Sequence, residues 1–114
     1  MNHDIIPLLD VTVEAPASTD TLHAITVNCS LTDFTESKPI SWFISNVPGV
    51  SDPSGVLGFN ITTLTSYSNY LEEESLEIDH DFVLQTLIGI DYIEVSCEAD
   101  GLMHSKNITI AMPG

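Results

Sequence analysis

From His23 to Leu31 every second residue belongs to one set: His23, Ile25, Val27, Cys29 and Leu31 alternate with Thr26, Asn28 and Ser30. The same period recurs near the other end of the chain, where Ile93, Val95, Cys97 and Ala99 alternate with Glu94, Ser96 and Glu98. A period of two places one set on one face of an extended strand, whereas a helix would scatter those residues around its axis. Shorter stretches repeat the pattern. Leu9, Val11 and Val13 form one, Ile40, Trp42 and Ile44 another with Ser41, Phe43 and Ser45 opposite, and Phe59, Ile61 and Thr63 a third. Ile108 and Ile110, alternating with Asn107 and Thr109, follow the turn signal Asp100-Gly101 and predict a closing hairpin.

Clusters of Pro, Gly, Asp and Ser separate these runs. Ala15-Pro16-Ala17-Ser18 ends the first, and Asn46 to Gly58, with two prolines and three glycines, reads as a loop with at most a short edge strand. Glu72-Glu73-Glu74 reads as a solvated edge or loop. Residues 75 to 91 support three readings: Leu76 and Ile78 on a strand before a long connection, Phe82 to Leu87 as the strand with Gly89-Ile90-Asp91 as its turn, or a helical turn. Seven to nine short strands and no convincing long helix predict an all-β chain folded as an antiparallel two-sheet β-sandwich. At 114 residues it is the size of one domain, 1–114, with its core over about 9–112. Met1 reads as an initiator placed ahead of a mature segment. Pro113-Gly114 reads as a cut through a longer secreted or membrane-anchored protein.

Seventeen Asp and Glu face two basic residues, Lys38 and Lys106, for a formal charge of -15. That field repels phosphate backbones, so nucleic acid is not an expected partner, and neither are heparin-like polymers or anionic membranes. No apolar run approaches the eighteen or so residues that span a bilayer, so this segment is not expected to insert directly. A charged protein partner should present Lys and Arg. The plainer meaning of the acidity is solubility.

Three sequons, Asn28-Cys29-Ser30, Asn60-Ile61-Thr62 and Asn107-Ile108-Thr109, make Asn28, Asn60 and Asn107 candidate glycosylation sites. Asn28 and Asn107 fall on the polar parity of their strands, as a glycan requires. Together with two cysteines they imply an extracellular location, at a cell surface or secreted. No catalytic chemistry is legible. His3, His23, His80 and His104 have no recognisable nucleophile–base context, and no glycine-rich phosphate loop or CxxC pair is present. Asp79-His80-Asp81, with Asp91 and the Glu72 to Glu74 run, is the best metal-like cluster and reads as a polar loop. The chain is expected to be no enzyme and to need no cofactor or metal.

Cys29 and Cys97 lie inward on strands near opposite ends of the chain, and Trp42 lies inward thirteen residues after the first. The runs Val27-Asn28-Cys29-Ser30-Leu31, Ile40-Ser41-Trp42-Phe43-Ile44 and Val95-Ser96-Cys97-Glu98-Ala99-Asp100-Gly101 resemble the immunoglobulin superfamily. The resemblance implies an immunoglobulin-like sandwich of the I-set, C2-set or V type, one inter-sheet disulfide between Cys29 and Cys97, and Trp42 in the core against it. Two features depart from the family. Val95 stands where a tyrosine usually precedes the second cysteine, with Tyr92 on the opposite parity. Trp42 and Cys97 are also 55 residues apart, which calls either for extra strands or for long loops at 46 to 58 and 79 to 91. Leu87-Ile88-Gly89-Ile90-Asp91-Tyr92 loosely resembles the turn before strand F of fibronectin type III domains, although that family's core tryptophan position holds Cys29.

The implied function is an adhesion or recognition module, a receptor ectodomain binding another protein, with Phe43 as the outward apolar residue at a possible interface. Homophilic binding would need a neutral patch, because exposed charges act over about 8 Å at physiological salt. The other readings are a ligand domain for a basic partner and a glycosylated spacer that binds nothing itself.

Overall fold

The computed structural model describes residues 10–20, 22–32, 39–68 and 71–111. Leu9, His3, Lys38 and both chain ends lie outside them. Among the described residues there are eight strands and one short helix: β1 (Asp10–Glu14), β2 (Ser18–Asp20), β3 (Ile25–Thr32), β4 (Ser41–Ser45), β5 (Phe59–Ser68), β6 (Leu71–Ile78), α1 (His80–Thr86), β7 (Tyr92–Ala99) and β8 (Leu102–Ala111). They form two four-stranded sheets in the orders β1-β3-β6-β5 and β2-β8-β7-β4. All pairings are antiparallel except β2 with β8. The fold is an immunoglobulin-like two-sheet β-sandwich, with the strand partition of that architecture: first, second, fifth and fourth strands on one sheet, third, sixth and seventh on the other, once β2 is set apart as a switched continuation of β1.

Pro16 explains the switch. It has no N–H to continue a ladder, so the chain leaves the first sheet after β1 and re-enters on the second, where Ala17's carbonyl accepts Thr109 N–H at 3.0 Å. β1 remains tied across the edge of the sandwich: Val13 N–H donates to His104 Nδ1 at 2.7 Å.

The alternation read from the sequence becomes the core. Val11, Val13, Ile25, Val27, Cys29, Leu31, Trp42, Ile44, Leu76, Ile78, Ile93, Val95, Cys97, Ala99, Ile108 and Ile110 are all buried. Burying such side chains contributes about 1.5–3 kcal/mol for each large one. The hairpin β7–β8 turns at Asp100 and Gly101, both at positive φ (51° and 86°), the turn whose twist suits antiparallel strands.

Three expectations change. His23 does not belong to the inward set: it is exposed ahead of β3, in a turn where Asp20 Oδ1 accepts Leu22 N–H (2.9 Å) and contacts His23 Nδ1 (2.7 Å). The local Asp turn outcompetes two more residues of strand. Glu72-Glu73-Glu74 is neither edge nor loop. It lies in β6, paired on both sides, with Glu72, Glu73 and Glu74 opposite Leu31, Ser30 and Cys29 of β3. Asp79-His80-Asp81 is not a loop but the start of α1, with Asp79 at the N-cap and Asp81 in the first turn, where its charge suits the helix dipole.

Within 75–91 the structure contains both a strand, the end of β6, and a helical turn. Val83 in α1 and Leu87 at its C-cap are both buried, one turn apart. Phe82 meets Phe59 edge to face at a centroid distance of 4.7 Å. Gly58 makes this approach feasible, because its φ is +94° and a Cβ there would stand 3.0 Å from Phe82. The long Trp42–Cys97 spacing is therefore filled by a loop and a helical connection rather than an additional strand: residues 46 to 58 hold only an isolated Val47–Val50 bridge, and residues 79 to 91 hold α1.

Candidate recognition face

The two cysteines are joined, with Cα atoms 6.4 Å apart, and link β3 to β7 across the sandwich. Trp42 on β4 is directly opposite Cys97, and Glu74 on β6 is directly opposite Cys29. Trp42 is buried, and its Nε1–H donates to Glu74 Oε1 at 2.8 Å. The indole is therefore a core element whose polar handle is satisfied from the opposite sheet, as a buried tryptophan requires. Sequence reading placed Trp42 inward but missed Glu74. The available signal was parity: Glu72 and Glu74 share the phase of Leu76 and Ile78.

The outer faces of the two sheets differ in chemistry. On the β1-β3-β6-β5 face, Thr26, Asn28 and Ser30 of β3 lie beside Glu73, Ser75 and Glu77 of β6, with Asn60 and Thr62 of β5 beyond. Ser30 Oγ donates to Glu73 Oε2 at 3.3 Å. Two of the three sequon asparagines stand on this face, Asn28 half-buried and Asn60 exposed. Among the described residues of β5, Leu64 is a large exposed apolar side chain, and it sits where the β5–β6 register shifts.

On the β2-β8-β7-β4 face, one row crosses the sheet from Phe43 through Ser96 to Ser105. Phe43 is 40% exposed, whereas Ser96 beside it is only 6% exposed, although its parity points to solvent. The Ser96 and Ser105 hydroxyls meet at 2.6 Å, which satisfies the buried one. Met103, opposite Glu98 in the next row, is 54% exposed. Glu94 lies on the other side of the Phe43 row, opposite Asn107, whose exposed side chain makes the third sequon a rim position. Phe43 and Met103 thus stand over a small, self-satisfied polar pair, with a carboxylate on each side.

At the end of the sandwich, Leu57, Gly58, Asp79, Asp81, Phe82 and Gln85 line an open cleft of about 300 Å³. Asp91 and the Glu72 to Glu74 run are not part of it. Among the described residues no group of three or more His, Cys, Asp or Glu side chains could hold a metal ion. Tyr92 is exposed at the start of β7, and its backbone carbonyl accepts Asn46 Nδ2–H at 2.6 Å. Tyr92 therefore braces the loop after β4 through its backbone, and the space beneath the β6–β7 connection is filled by Val83 and Leu87. Among the described residues no helix is long and apolar enough to cross a membrane. Comparison with protein-family models and with curated proteins finds no match for this chain.

Proposed function

We propose that the chain is an immunoglobulin-superfamily ectodomain that recognises another protein through the outer face of the β2-β8-β7-β4 sheet, with Phe43 at its centre. The observation that carries this reading is the contrast between the two faces. One bears two sequons and a lattice of Glu, Ser and Thr along its regular ladder, with the exposed Leu64 at the point where the β5–β6 register shifts. The other bears Phe43 and Met103 above the buried Ser96–Ser105 pair. An apolar residue on an otherwise solvated strand is unremarkable alone, but interface centres combine aromatic anchors with depleted charge and a polar rim. Glu94 and Glu98 supply that rim, so the partner fitted to this face has an apolar centre with Lys or Arg around it. The domain's charge of -15 would accelerate association with such a partner more than it would tighten the complex. Superfamily membership is supported by the strand partition, the Cys29–Cys97 bridge and the inward Trp42. The bridge and the three sequons support an extracellular setting.

The test is a binding screen of the glycosylated domain, presented as a tetramer, against an array of ectodomains, repeated with Phe43→Ser. Binding that Phe43→Ser abolishes, with an association rate that falls as salt rises, supports the reading. Binding unchanged by Phe43→Ser overturns the face assignment. A folded, glycosylated domain that binds nothing on the array overturns recognition in favour of the spacer reading.

A further inference from the structure

A β-sandwich has four sheet edges, and unpaired edges are templates for pairing with another chain. Three of the four are blunted. β2 is only three residues long. β1 carries Asp10 and Glu14, and its Val13 N–H is taken by His104. β4 is covered by its own loop, with Ile44 N–H donating to Ser51 O at 2.8 Å. β5 differs: it runs ten residues, Phe-Asn-Ile-Thr-Thr-Leu-Thr-Ser-Tyr-Ser, without a charge or a proline.

The phase of the β5 ladder decides which groups this edge presents. Asp79 N–H donates to Gly58 O at 2.7 Å, which makes Phe59–Ile78 a non-hydrogen-bonded pair. Asn60 and Thr62 therefore bond to β6, and Phe59, Ile61 and Thr63 turn their N–H and C=O groups away from it. Phe59 N–H is consumed by Val56 O at 3.0 Å, in keeping with that phase. Phe59 C=O, both groups of Ile61 and Thr63 N–H then face the free edge, with no partner among the described residues. Past Thr63 the register shifts, which ends the regular segment.

We infer that this edge is a self-recognition site, where β5 of one copy pairs antiparallel with β5 of a second copy about a two-fold axis at Ile61. Such pairing closes four hydrogen bonds: two between the Ile61 residues, and one from each Thr63 N–H to the other copy's Phe59 carbonyl. The Phe59 N–H, already used within its own chain, has no role in this ladder. The two-fold sets the half-buried Ile61 side chains of the two copies against each other on the core side. Charge favours a second copy over a basic partner, because β5 offers a cationic chain nothing to pair with. The nearest like-charged rows are the two β6 strands, about 14 Å apart at ordinary strand spacing and beyond the roughly 8 Å screening length. Asn60 stands on the outer face, so its glycan would project from the sheet rather than into the edge. Five regular residues make a small contact, so the association belongs to the weak, concentration-dependent class. This site is independent of the Phe43 face.

The experiment is sedimentation velocity of the glycosylated chain over a concentration series, with Thr63→Pro, Ile61→Lys and Phe43→Ser alongside. Thr63→Pro removes an N–H that points away from β6, a position where an edge strand tolerates proline. It is expected to weaken dimerisation roughly tenfold or more, since two of the four bonds are lost per dimer. Ile61→Lys opposes two ammonium groups across the axis while keeping the aliphatic stem, and its dimer is expected only at high salt. Hydrogen exchange at the Ile61 and Thr63 amides is expected to slow with concentration in the unmodified chain. A chain monomeric at all concentrations overturns the inference. So does a dimer indifferent to both β5 substitutions but lost in Phe43→Ser, which would move self-association to the other surface.

Discussion

Trp42 and Glu74 are each the cross-strand neighbour of one half of the Cys29–Cys97 bridge, and they close a 2.8 Å hydrogen bond from one sheet to the other beside it. The core is therefore pinned twice at the same level, once covalently and once through an indole and a carboxylate. Replacing Glu74 by Leu leaves a buried indole N–H without an acceptor, at a cost of about 1–3 kcal/mol, whereas Glu74→Gln keeps an acceptor and should lose less. Urea unfolding followed by the emission of Trp42, the sole tryptophan, measures both. Equal losses in the two variants would show that the hydrogen bond contributes little.

The bridge closes a separation of 68 residues. Reducing it, or replacing both cysteines by Ala, should lower the unfolding free energy by about 4 kcal/mol in the chain-entropy account. That is a large fraction of the 5–15 kcal/mol typical of a domain. The check is a pair of denaturation curves with and without reductant, and a midpoint unmoved by reduction would contradict it.

Gly58 is a position where a methyl group cannot be added without movement. Its backbone is at φ +94°, and the Phe82 side chain lies 3.0 Å from where the Cβ would go. Gly58→Ala is expected to destabilise by about 1–3 kcal/mol, through strain at positive φ and displacement of Phe82 from Phe59. Phe82→Ala in the same background should recover part of that loss, because it removes the Cδ2 and Cγ contacts at 3.0 and 3.2 Å while the Cβ contact at 3.0 Å stays. Additive losses in the double variant would separate the two residues.

The turn before β3 carries a small pH dependence. The His23 ring, and after it the Leu22 N–H, hold the Asp20 carboxyl below its ordinary value. A group depressed in the folded state contributes stability above its unfolded value, near 4, and that contribution is lost as pH falls through the lower folded value. The site is exposed, so the effect is expected to be local. An NMR titration of Asp20 should show a midpoint below that of the same residue in the unfolded chain, and His23→Ala should return it toward the ordinary value. A midpoint that does not move in His23→Ala would remove His23 as the cause.

Much of the sandwich is legible from local order. Strand faces follow from a period of two, which is why Ile25, Val27, Cys29, Leu31, Ile93, Val95 and Cys97 could be placed inward, and why Asp100-Gly101 could be read as a turn. The exceptions are informative. His23 continues the alternation in sequence, but an Asp20 turn holds it outside the strand. The Phe82 to Leu87 run is too short for its period to separate helix from strand, and what decides is the space under the β6–β7 connection that Val83 and Leu87 fill.

The sequence by itself determined the all-β class, the inward positions of Cys29, Trp42 and Cys97, and the outward parity of Asn28 and Asn107, because these depend on neighbours two residues away. Tertiary structure decided which strands meet. It set Glu74 beneath the Trp42 indole, buried Ser96 beside Phe43 and left β5 as an open edge among the described residues. Those outcomes depend on groups tens of residues distant, and a local pattern shows which way a side chain points without showing what it will face.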